Sequence, residues 1–323
     1  MHAWGIIGTG DISARFAPDL QAVTSGAVRG VWGRSKERAD AFAEAHGIAF
    51  ATDSREVLLA RDDIDIVYIA TPAHTHLAIA LEALEAGKHV LVEKPMALDA
   101  GEVEQIFAKA RDLGLFAMEG MWMRFNPLHV ELRDRIRDGL IGEPRSVRAS
   151  FGTPFQAREN RLTPAQGGSI LLDRGIYPVT LAHWFLGEPA TVHATGVIAD
   201  GVDIAGHVTL EYPDGCFAHL AWSGIEFLDL SAAVSGSQGW VVADPMFWAG
   251  TSARLHAGSM ERVFHEPEVV EHPREGNGFR PMIAAVVEAL GAGWREHPWH
   301  TAEDTIVIAR TLDRIRTSIE SAS

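Results

Sequence analysis

The first 120 residues alternate short apolar runs with longer amphipathic runs, and no other feature constrains the fold as strongly. Short apolar runs are typical of buried strands, and amphipathic runs with helical spacing are typical of surface helices. The runs predict strands over 3–7, 27–32, 65–70, 89–92 and 115–118, and helices over 13–23, 36–45, 76–86 and 102–110. Because alternating strands and helices form parallel βαβ units, we predict an α/β fold that begins with a doubly wound, Rossmann-type sheet.

The pattern changes after Asn126-Pro127. A helix is predicted over 128–138, a strand over 146–151 and a longer helix over 169–185. Several strand patterns then follow, separated by short turns: 191–198, 207–212, 216–222, 229–235 and 239–244. Strands joined by short turns form antiparallel sheets. The second half therefore predicts an α+β domain with an open, mainly antiparallel sheet.

The end of the chain and its length complete the domain prediction. The charged, proline-bearing segment 265–276 predicts a loop, and helices are predicted over 281–291 and 302–319. A chain of 323 residues is long for one hydrophobic core. We predict two domains, 1–122 and 123–323, with the C-terminal helix able to pack back on the first. No Gly/Ser linker separates them, so we expect them to pack closely and share a cleft.

Charge and cysteine content exclude several kinds of partner. The chain has 43 acidic and 28 basic residues, which argues against nucleic acid or an anionic membrane as the main partner. Nowhere do 18 apolar residues run together, so no membrane span is predicted. Cys216 is the only cysteine, so no internal disulfide can form and a reducing compartment is the simpler interpretation. We expect a cytoplasmic protein.

A glycine-rich turn lies between the first predicted strand and the first helix. Gly8 permits a tight turn, and Gly10 lets the backbone approach a pyrophosphate held at the helix N-terminus, beside Asp11 and Ile12. Ser13 replaces the third glycine of the motif, where a small residue still permits close packing. The alternative is a glycine turn that binds no ligand. The position of the motif favours a dinucleotide site.

The second predicted strand ends without an acidic residue at its tip. An Asp or Glu there would hold the ribose hydroxyls of NAD. Arg34, Ser35 and Arg38 stand there instead, and their guanidinium and hydroxyl donors suit a 2′-phosphate. We predict NADP as the cofactor, with NAD left open. Arg38 could equally be a solvated arginine on a surface helix.

The strand over 65–70 is followed by a turn rich in polar residues. Thr71, Pro72 and His76 are candidate contacts for the nicotinamide half of the cofactor. His74 and His76 also invite a zinc interpretation, but a third ligand at convincing spacing is missing. A polar residue at the start of a helix needs no metal, so no metal site is predicted.

Val90-Leu91-Val92-Glu93-Lys94-Pro95 places a lysine where a buried apolar strand ends. Open α/β sheets bind ligands at the carboxyl ends of their strands, so Glu93 and Lys94 are candidate cofactor contacts. A lysine shielded from water beside a nicotinamide cation should have a lowered pKa, which would let it relay a proton. The alternative is an exposed lysine paired with Glu93.

A glycine pair at 167–168 leads into a helix that carries Asp173 and Tyr177 four residues apart. That spacing places both side chains on one helix face. A phenol can exchange a proton with an alcohol, a nearby lysine can lower its pKa, and a carboxylate can orient a substrate. We predict Lys94, Asp173 and Tyr177 as the catalytic residues. The alternatives are that Asp173 pairs with Arg174 and that Tyr177 belongs to the core.

Several motifs together resemble the glucose-fructose oxidoreductase and inositol dehydrogenase family. They span nearly the whole chain: Gly8-x-Gly10, Thr71-Pro72, Ala86-Gly87-Lys88-His89-Val90, Glu93-Lys94-Pro95 and Gly168-x4-Asp173-x-Gly175-x-Tyr177. The resemblance implies that Lys94 and Tyr177 are the catalytic pair and that Asp173 is an essential site carboxylate. It also implies that Arg34 and Arg38 contact the 2′-phosphate of NADP.

Within this family, residues 118–125 and Tyr177 are most similar to the dimeric dihydrodiol dehydrogenases and the NADP-dependent D-xylose dehydrogenases. Many members carry histidine in place of Tyr177 and aspartate in place of Thr180. The tyrosine favours the dihydrodiol and xylose subgroup. The missing aspartate leaves the hydrogen-bond partners of the substrate open.

The resemblance also implies a substrate site. Trp122 matches a wall of the substrate pocket, and Arg124 and Phe151 are further candidate contacts beside Asp173 and Tyr177. We predict an NADP-dependent oxidoreductase that moves hydride between nicotinamide and a secondary alcohol or hemiacetal carbon of a small cyclic polyol, such as a sugar or dihydrodiol.

Two other functions remain open at this point. One is a dinucleotide-binding regulator that keeps the fold without turnover. The other is a metal-dependent hydrolase that uses His74, His76 and Asp173. Which polyol is bound depends on loops such as Thr153–Gln166, whose conformation the sequence does not determine.

We also predict a homodimer or higher homo-oligomer. The second domain's sheet should bury one face on its own helices, and large exposed apolar patches usually mark interfaces. We expect the other face to carry some of the large aromatic residues Trp222, Trp240, Phe247 and Trp248.

Overall fold

The computed structural model describes residues 2–154 and 163–322 and divides into two compact units. Unit 1 comprises Met1–Phe125 and Arg274–Thr305. Unit 2 comprises Asn126–Pro273 and Ile306–Ser323. Part of the loop Thr153–Gln166, on which the choice of substrate was expected to depend, lies outside the described residues.

Unit 1 is built on a six-stranded parallel sheet, as predicted, with strand order β3-β2-β1-β4-β5-β6. The strands are β1 (Trp4–Ile7), β2 (Val28–Trp32), β3 (Ala51–Thr52), β4 (Ile66–Ile69), β5 (His89–Val92) and β6 (Ala117–Glu119). The helices between them are α1 (Asp11–Thr24), α2 (Lys36–His46), α3 (Arg55–Leu59), α4 (His76–Glu85) and α5 (Ala100–Leu113). This order places the carboxyl ends of β1, β4 and β5 side by side, where open α/β sheets bind ligands.

The sequence missed β3 and α3. A two-residue strand and a five-residue helix are too short to show a period. Pairing with a neighbouring strand stabilises β3 although its own sequence shows no strand pattern. Its two residues pair with Val31 and Trp32 of β2.

Unit 2 contains an eight-stranded sheet of order β14-β13-β12-β11-β7-β10-β9-β8. Its first strands are β7 (Pro144–Gly152), β8 (Thr191–Ala199), β9 (Val202–Glu211) and β10 (Phe217–Ser223). The others are β11 (Ala232–Gly236), β12 (Gly239–Ala243), β13 (Ser252–Ala257) and β14 (Glu268–Glu271). Among the described strands of this sheet, only β7 and β10 pair in parallel, so the predicted mainly antiparallel sheet is confirmed.

The helices of the rest of the chain are α6 (Pro127–Arg137), α7 (Ile176–Leu186), α8 (Met260–Phe264), α9 (Arg280–Gly291) and α10 (Ala302–Ala322). A π-helical turn, Leu171–Gly175, runs directly into α7. Helix α9 packs on α1 within unit 1. Helix α7 packs on β7 and β10 and covers one face of the unit 2 sheet. No helix among the described residues is both long and apolar enough to cross a membrane.

The prediction of a loop over 265–276 is wrong in part. Residues 268–271, Glu-Val-Val-Glu, form the edge strand β14 against β13. Strands β13 and β14 and helix α8 were not predicted. An edge strand needs only one partner, and its flanking charges remain solvated, so its local pattern is typical of a loop.

The residues chosen for the dimer surface also need correction. Trp222, Phe247 and Trp248 are buried within the chain, at 1%, 0% and 9% exposure. Trp240 is half-buried and stacks on His256, with ring centroids 4.3 Å apart. The bulky rings follow an apolar pattern that suits an interface or a core equally well, and three of them belong to the core.

Candidate active site

The glycine turn of unit 1 is sterically specified. Gly8 has φ 121°, and a Cβ there would lie 2.6 Å from the carbonyl oxygen of Ala70, so only glycine fits beside the end of β4. Gly10 is the N-cap of α1 and supplies no side-chain cap, and a Cβ there would meet nothing within 4 Å. Asp11 and Ile12 form the first turn of α1. The start of α1 is therefore open to close approach by a ligand, and a helix N-terminus binds anions.

The end of β2 carries the residues predicted to select NADP. Arg34 and Arg38 are exposed, and Ser35 is the N-cap of α2, where its hydroxyl accepts a hydrogen bond from the Arg38 amide. Ser35 therefore fixes the start of the helix, while both guanidinium groups are accessible to a ligand. Their contact with a 2′-phosphate stays a prediction.

His76 links the ends of β4 and β5. Its side chain is 1% exposed, with Nδ1 2.9 Å from the Pro95 carbonyl oxygen and Nε2 2.8 Å from that of Thr71. Burial lowers the pKa of His76, and the two carbonyl contacts oppose that shift. Pro72 precedes a short 3-10 turn, and the Thr71 hydroxyl lies 2.7 Å from that of Thr75. Among the described residues no group of three His, Cys, Asp or Glu side chains could hold a metal.

Glu93 and Lys94 follow β5 at the same sheet edge. Glu93 is 5% exposed; the Tyr68 hydroxyl donates to its Oε1 at 2.6 Å, and the Lys94 amide donates to its Oε2 at 3.1 Å. Burial raises the pKa of Glu93, and the Tyr68 hydrogen bond and the Lys94 charge oppose that shift. The Lys94–Pro95 peptide bond is cis. Tyr68 itself stacks on Phe16, with ring centroids 3.7 Å apart.

The segment after β6 contains two of the predicted substrate contacts. Trp122 is half-buried and packs against Phe279, with ring centroids 5.3 Å apart. Arg124 is 4% exposed, and its Nη1 lies 3.2 Å from His300 Nδ1 and 3.3 Å from Asp304 Oδ1. The guanidinium is thus engaged inside unit 1, and a direct contact with substrate stays a prediction.

In unit 2, the turn Leu171–Gly175 and α7 form one continuous helix that carries Asp173 and Tyr177. A Cβ on Gly175 would lie 2.7 Å from Leu171 Cδ1 and 3.3 Å from Trp222 Cδ2. Glycine at this position therefore lets the helix pack directly on β10. This is a physical reason for the glycine between Asp173 and Tyr177.

Tyr177 lies among aromatic rings. Its ring centroid is 5.8 Å from that of Phe151 and 6.3 Å from that of Trp248, and Phe151 and Trp248 stack at 3.5 Å. The structure thus brings together Phe151, Asp173 and Tyr177 in unit 2, and adds Trp248, which the sequence assigned to an interface.

Two charged residues at this helix, one buried and one half-buried, were missed. Arg174 is 5% exposed and donates to the carbonyl oxygens of Thr153 and Ser223, and its guanidinium lies over Phe151 at 5.3 Å. Its Nε lies 3.9 Å from Asp173 Oδ2. From the sequence, Arg174 was predicted only as an alternative partner of Asp173.

Asp203 of β9 is the second. Its Oδ2 accepts from the Leu171 amide at 2.6 Å and from Trp222 Nε1 at 3.3 Å, and Ser169 also bonds to it. Burial raises the pKa of Asp203, and these hydrogen bonds oppose that shift. Asp203 therefore caps the helix that carries Asp173 and Tyr177. It lies 32 positions from Leu171 in the sequence, and no local sequence pattern predicts this contact.

The comparisons with known proteins cover both parts of the chain. A model of an oxidoreductase family with an NAD-binding Rossmann fold matches residues 2–121. A model of the GFO/IDH/MocA C-terminal domain matches residues 129–242.

Two relatives are named trans-1,2-dihydrobenzene-1,2-diol dehydrogenase. The protein from Xenopus laevis is 33% identical over 317 residues, which cover 96% of each chain. The protein from Homo sapiens is 33% identical over 323 residues, which cover 98% of this chain and 96% of the relative.

Solved structures share the whole fold. A 3-ketoreductase from Actinomadura kijaniata in complex with NADP and TDP-benzene has a TM-score of 0.87 at 31% identity and covers 98% of each chain. The same ketoreductase has been solved with a tyrosine or a lysine substituted. An aldose-aldose oxidoreductase from Caulobacter crescentus complexed with glycerol has a TM-score of 0.89 at 25% identity, covering 100% of this chain and 98% of that one.

The predicted fold and the predicted nicotinamide-dependent dehydrogenase or reductase class are confirmed at the level of the family. Both domain models and the full-length relatives agree on it. The chain belongs to the Gfo/Idh/MocA family of oxidoreductases.

Proposed function

We propose that this protein is an NADP-dependent oxidoreductase that transfers hydride between nicotinamide C4 and a secondary alcohol or hemiacetal carbon of a small cyclic polyol. The observation that carries this proposal is the capped helix with Asp173 and Tyr177, set against the stacked rings of Phe151 and Trp248. In this proposal, residues 1–122 hold the cofactor and residues 123–323 hold the substrate. The 33% identity to dihydrodiol dehydrogenases over the full length supports it.

Each proposed role follows from the chemistry of the side chain. When bound, NADP accepts or delivers the hydride. In the oxidative direction, Tyr177 takes the proton of the reacting hydroxyl and later releases it, and Lys94 binds the same oxygen and lowers the pKa of the phenol. Asp173 accepts a hydrogen bond from a second hydroxyl. Phe151 and Trp248 offer flat apolar surface for the carbon face of a ring.

The preference for NADP rests on the end of β2. Arg34 and Arg38 are exposed there, Ser35 supplies a hydroxyl, and no carboxylate is present to hold a ribose 2′-hydroxyl. We expect Arg34→Ala with Arg38→Ala to raise KM for NADP about 10- to 100-fold with little change for NAD. Arg137→Ala, which removes another exposed arginine, in α6, is the control. An equal loss with both cofactors would contradict the preference.

The experiment that tests the function mixes protein, NADP and a panel of sugars and cyclic diols, and follows nicotinamide absorbance. We expect turnover with at least one cyclic polyol. Binding of NADP without turnover on any member of the panel would instead support a dinucleotide-binding regulator. Full activity after removal of metal by a chelator would exclude the metal-dependent hydrolase.

We also propose a homo-oligomer, assembled through the open face of the unit 2 sheet. The strand register places Val197, Phe217 and Val269 on the face opposite to the one that α7 covers, and they are 51%, 39% and 56% exposed. They lie on separate strands, β8, β10 and β14, and apolar side chains exposed on an open sheet face support an interface there. Light scattering should give a dimer or larger species, and Phe217→Asp should shift it toward monomer; a monomeric wild type contradicts the proposal.

A cytoplasmic location is proposed from the lone Cys216.

A further inference from the structure

The backbone around Lys94 is held at three consecutive residues by buried side chains. Glu93 Oε2 accepts from the Lys94 amide at 3.1 Å, and His76 Nδ1 lies 2.9 Å from the Pro95 carbonyl oxygen. Glu119 Oε1 accepts from the Met96 amide at 2.9 Å. Two separate elements, α4 through His76 and β6 through Glu119, therefore fix one short turn together with Glu93 at its start.

Glu119 is the first member of a row of buried, hydrogen-bonded side chains, Glu119, His300 and Arg124, which we call the line. Its Oε2 lies 3.1 Å from His300 Nε2, and Arg124 Nη1 lies 3.2 Å from His300 Nδ1. Because a guanidinium can only donate, Nδ1 must accept and the imidazole proton must lie on Nε2, from which it is donated to Glu119. Glu119, His300 and Arg124 are 2%, 1% and 4% exposed.

The far end of the line is anchored on a helix start. Arg124 Nη1 lies 3.3 Å from Asp304 Oδ1. Asp304 also forms a reciprocal cap for α10: its Oδ2 accepts from the Thr301 amide at 2.9 Å, and its own amide donates to the Thr301 hydroxyl at 3.1 Å. The line thus runs from a capped helix to the turn that follows β5.

We propose that Glu119, His300 and Arg124 are positioning residues that fix the backbone of Lys94, Pro95 and Met96 and so the direction of the Lys94 ammonium group. This inference rests on the catalytic role proposed for Lys94. It assigns to Arg124 an action through His300 and Glu119 on the turn, in place of a direct contact with substrate.

A purely structural role explains the line less well. Buried ion pairs are often replaceable by apolar residues of similar volume without loss of stability, so filling the core does not require charges here. A hydrogen-bonded line instead sets direction and distance, and misplacement of a catalytic group by about 1 Å can cost 10²-fold in rate. The line can therefore be tested by rate separately from stability.

The test compares two replacements of His300. In His300→Gln the amide can still accept from Arg124 and donate to Glu119, whereas His300→Leu can do neither. We expect His300→Leu to lower kcat about 10- to 100-fold, with Kd for NADP within about twofold of wild type. His300→Gln should restore most of the lost kcat.

Lys88→Met is the matched control for a lost buried polar group in the same unit. Lys88 is 9% exposed, precedes β5 at its opposite end, and donates to the carbonyl oxygens of Arg61 and Ile64. It should lower Tm without lowering the kcat of the folded protein. If His300→Leu behaves in the same way, or if His300→Gln is as impaired as His300→Leu, the proposal is overturned.

A milder variant keeps the test decisive if His300→Leu does not fold. Asp304→Asn removes the charge that faces Arg124 and keeps an oxygen for the Thr301 amide. A kcat loss of about threefold with unchanged Kd is expected, and unchanged kcat contradicts the proposal. Lys94→Met is assayed in parallel: a loss there with a fully active His300→Leu overturns this inference alone, whereas a fully active Lys94→Met overturns the proposed function itself.

Discussion

The turn that carries Lys94 and the helix that carries Tyr177 are built in different ways. Around Lys94, the buried polar side chains of Glu93, His76 and Glu119 hold the backbone through hydrogen bonds. Around Tyr177, aromatic rings and a close helix-to-strand contact define the surroundings. The first region specifies the direction of a charge, and the second provides apolar surface beside a phenol.

This difference suits the two proposed roles. A cation that binds a reacting oxygen needs a fixed position, which hydrogen bonds to its backbone provide. A phenol that exchanges protons and faces a ring needs restricted contact with water, which Phe151 and Trp248 provide. We expect substitutions near Tyr177 to change chemistry directly and substitutions near Lys94 to act through position.

The largest effect is expected from Tyr177→Phe, which removes the hydroxyl proposed to exchange the proton with substrate and keeps the ring. We expect kcat to fall about 10²- to 10⁴-fold with little change in Tm. Steady-state kinetics on a confirmed substrate, with Tm by calorimetry, provide the measurement.

Tyr212→Phe is the control for the loss of a phenol hydroxyl. The Tyr212 side chain is buried, and its hydroxyl has no hydrogen-bond partner within the described part of the chain. Activity should be unchanged and stability equal or higher, because the variant removes an unsatisfied buried group. Near-wild-type kcat in Tyr177→Phe would show that the phenol of this region takes no part in proton transfer.

An intermediate effect is expected at the cap of the Tyr177 helix. Asp203→Ala leaves the Leu171 amide and Trp222 Nε1 without their acceptor and should lower the free energy of unfolding by about 1–3 kcal/mol. Asp203→Asn keeps an oxygen and should recover part of the loss. Urea denaturation measures both, and equal stability of the three proteins would show that the cap contributes nothing.

The smallest effect is a pH dependence of stability from buried histidines in both regions. Burial lowers the pKa of His300 and of His129, whose Nε2 donates to the Phe247 carbonyl oxygen at 2.6 Å. Because the folded-state pKa is lowered, each histidine binds a proton more readily in the unfolded chain, where its ordinary pKa is 6.5, so its contribution to stability is present above pH 6.5 and is lost as pH falls. Burial raises the pKa of Glu93, so its contribution to stability has the opposite pH dependence: it is lost as pH rises above the ordinary pKa of 4.5.

The histidine contribution is isolated by a difference between proteins. We expect the free energy of unfolding of His129→Gln to fall less than that of wild type between pH 7.5 and 5.5, by about 1 kcal/mol. Denaturant titration at both values measures it. Parallel pH dependences in wild type and variant would contradict the contribution of this histidine.

Local signals predicted much of the molecule. The alternation of runs predicted the parallel sheet of unit 1, and the glycine turn at Gly8 was predicted where the structure has φ 121°. The spacing of Asp173 and Tyr177 predicted one helix, which is observed with a π-helical start. These features depend on residues within a few positions of one another.

The rest depends on contacts between distant residues. His300 and Glu119 are 181 positions apart, and Asp203 caps Leu171 from another strand. Nothing in the local sequence distinguishes a histidine that bonds a buried carboxylate from one in solvent. The aromatic residues Trp222, Phe247 and Trp248 show the same ambiguity, because an apolar ring suits both core and interface.

Transfer of hydrogen from a labelled substrate tests the central claim most directly. The reaction of NADP with a cyclic polyol carrying deuterium at the reacting carbon is followed by NMR of the nicotinamide product. The account predicts deuterium at C4 of the reduced nicotinamide, in wild type and, more slowly, in Tyr177→Phe. A reduced nicotinamide without deuterium, or label released only to solvent, would contradict direct hydride transfer.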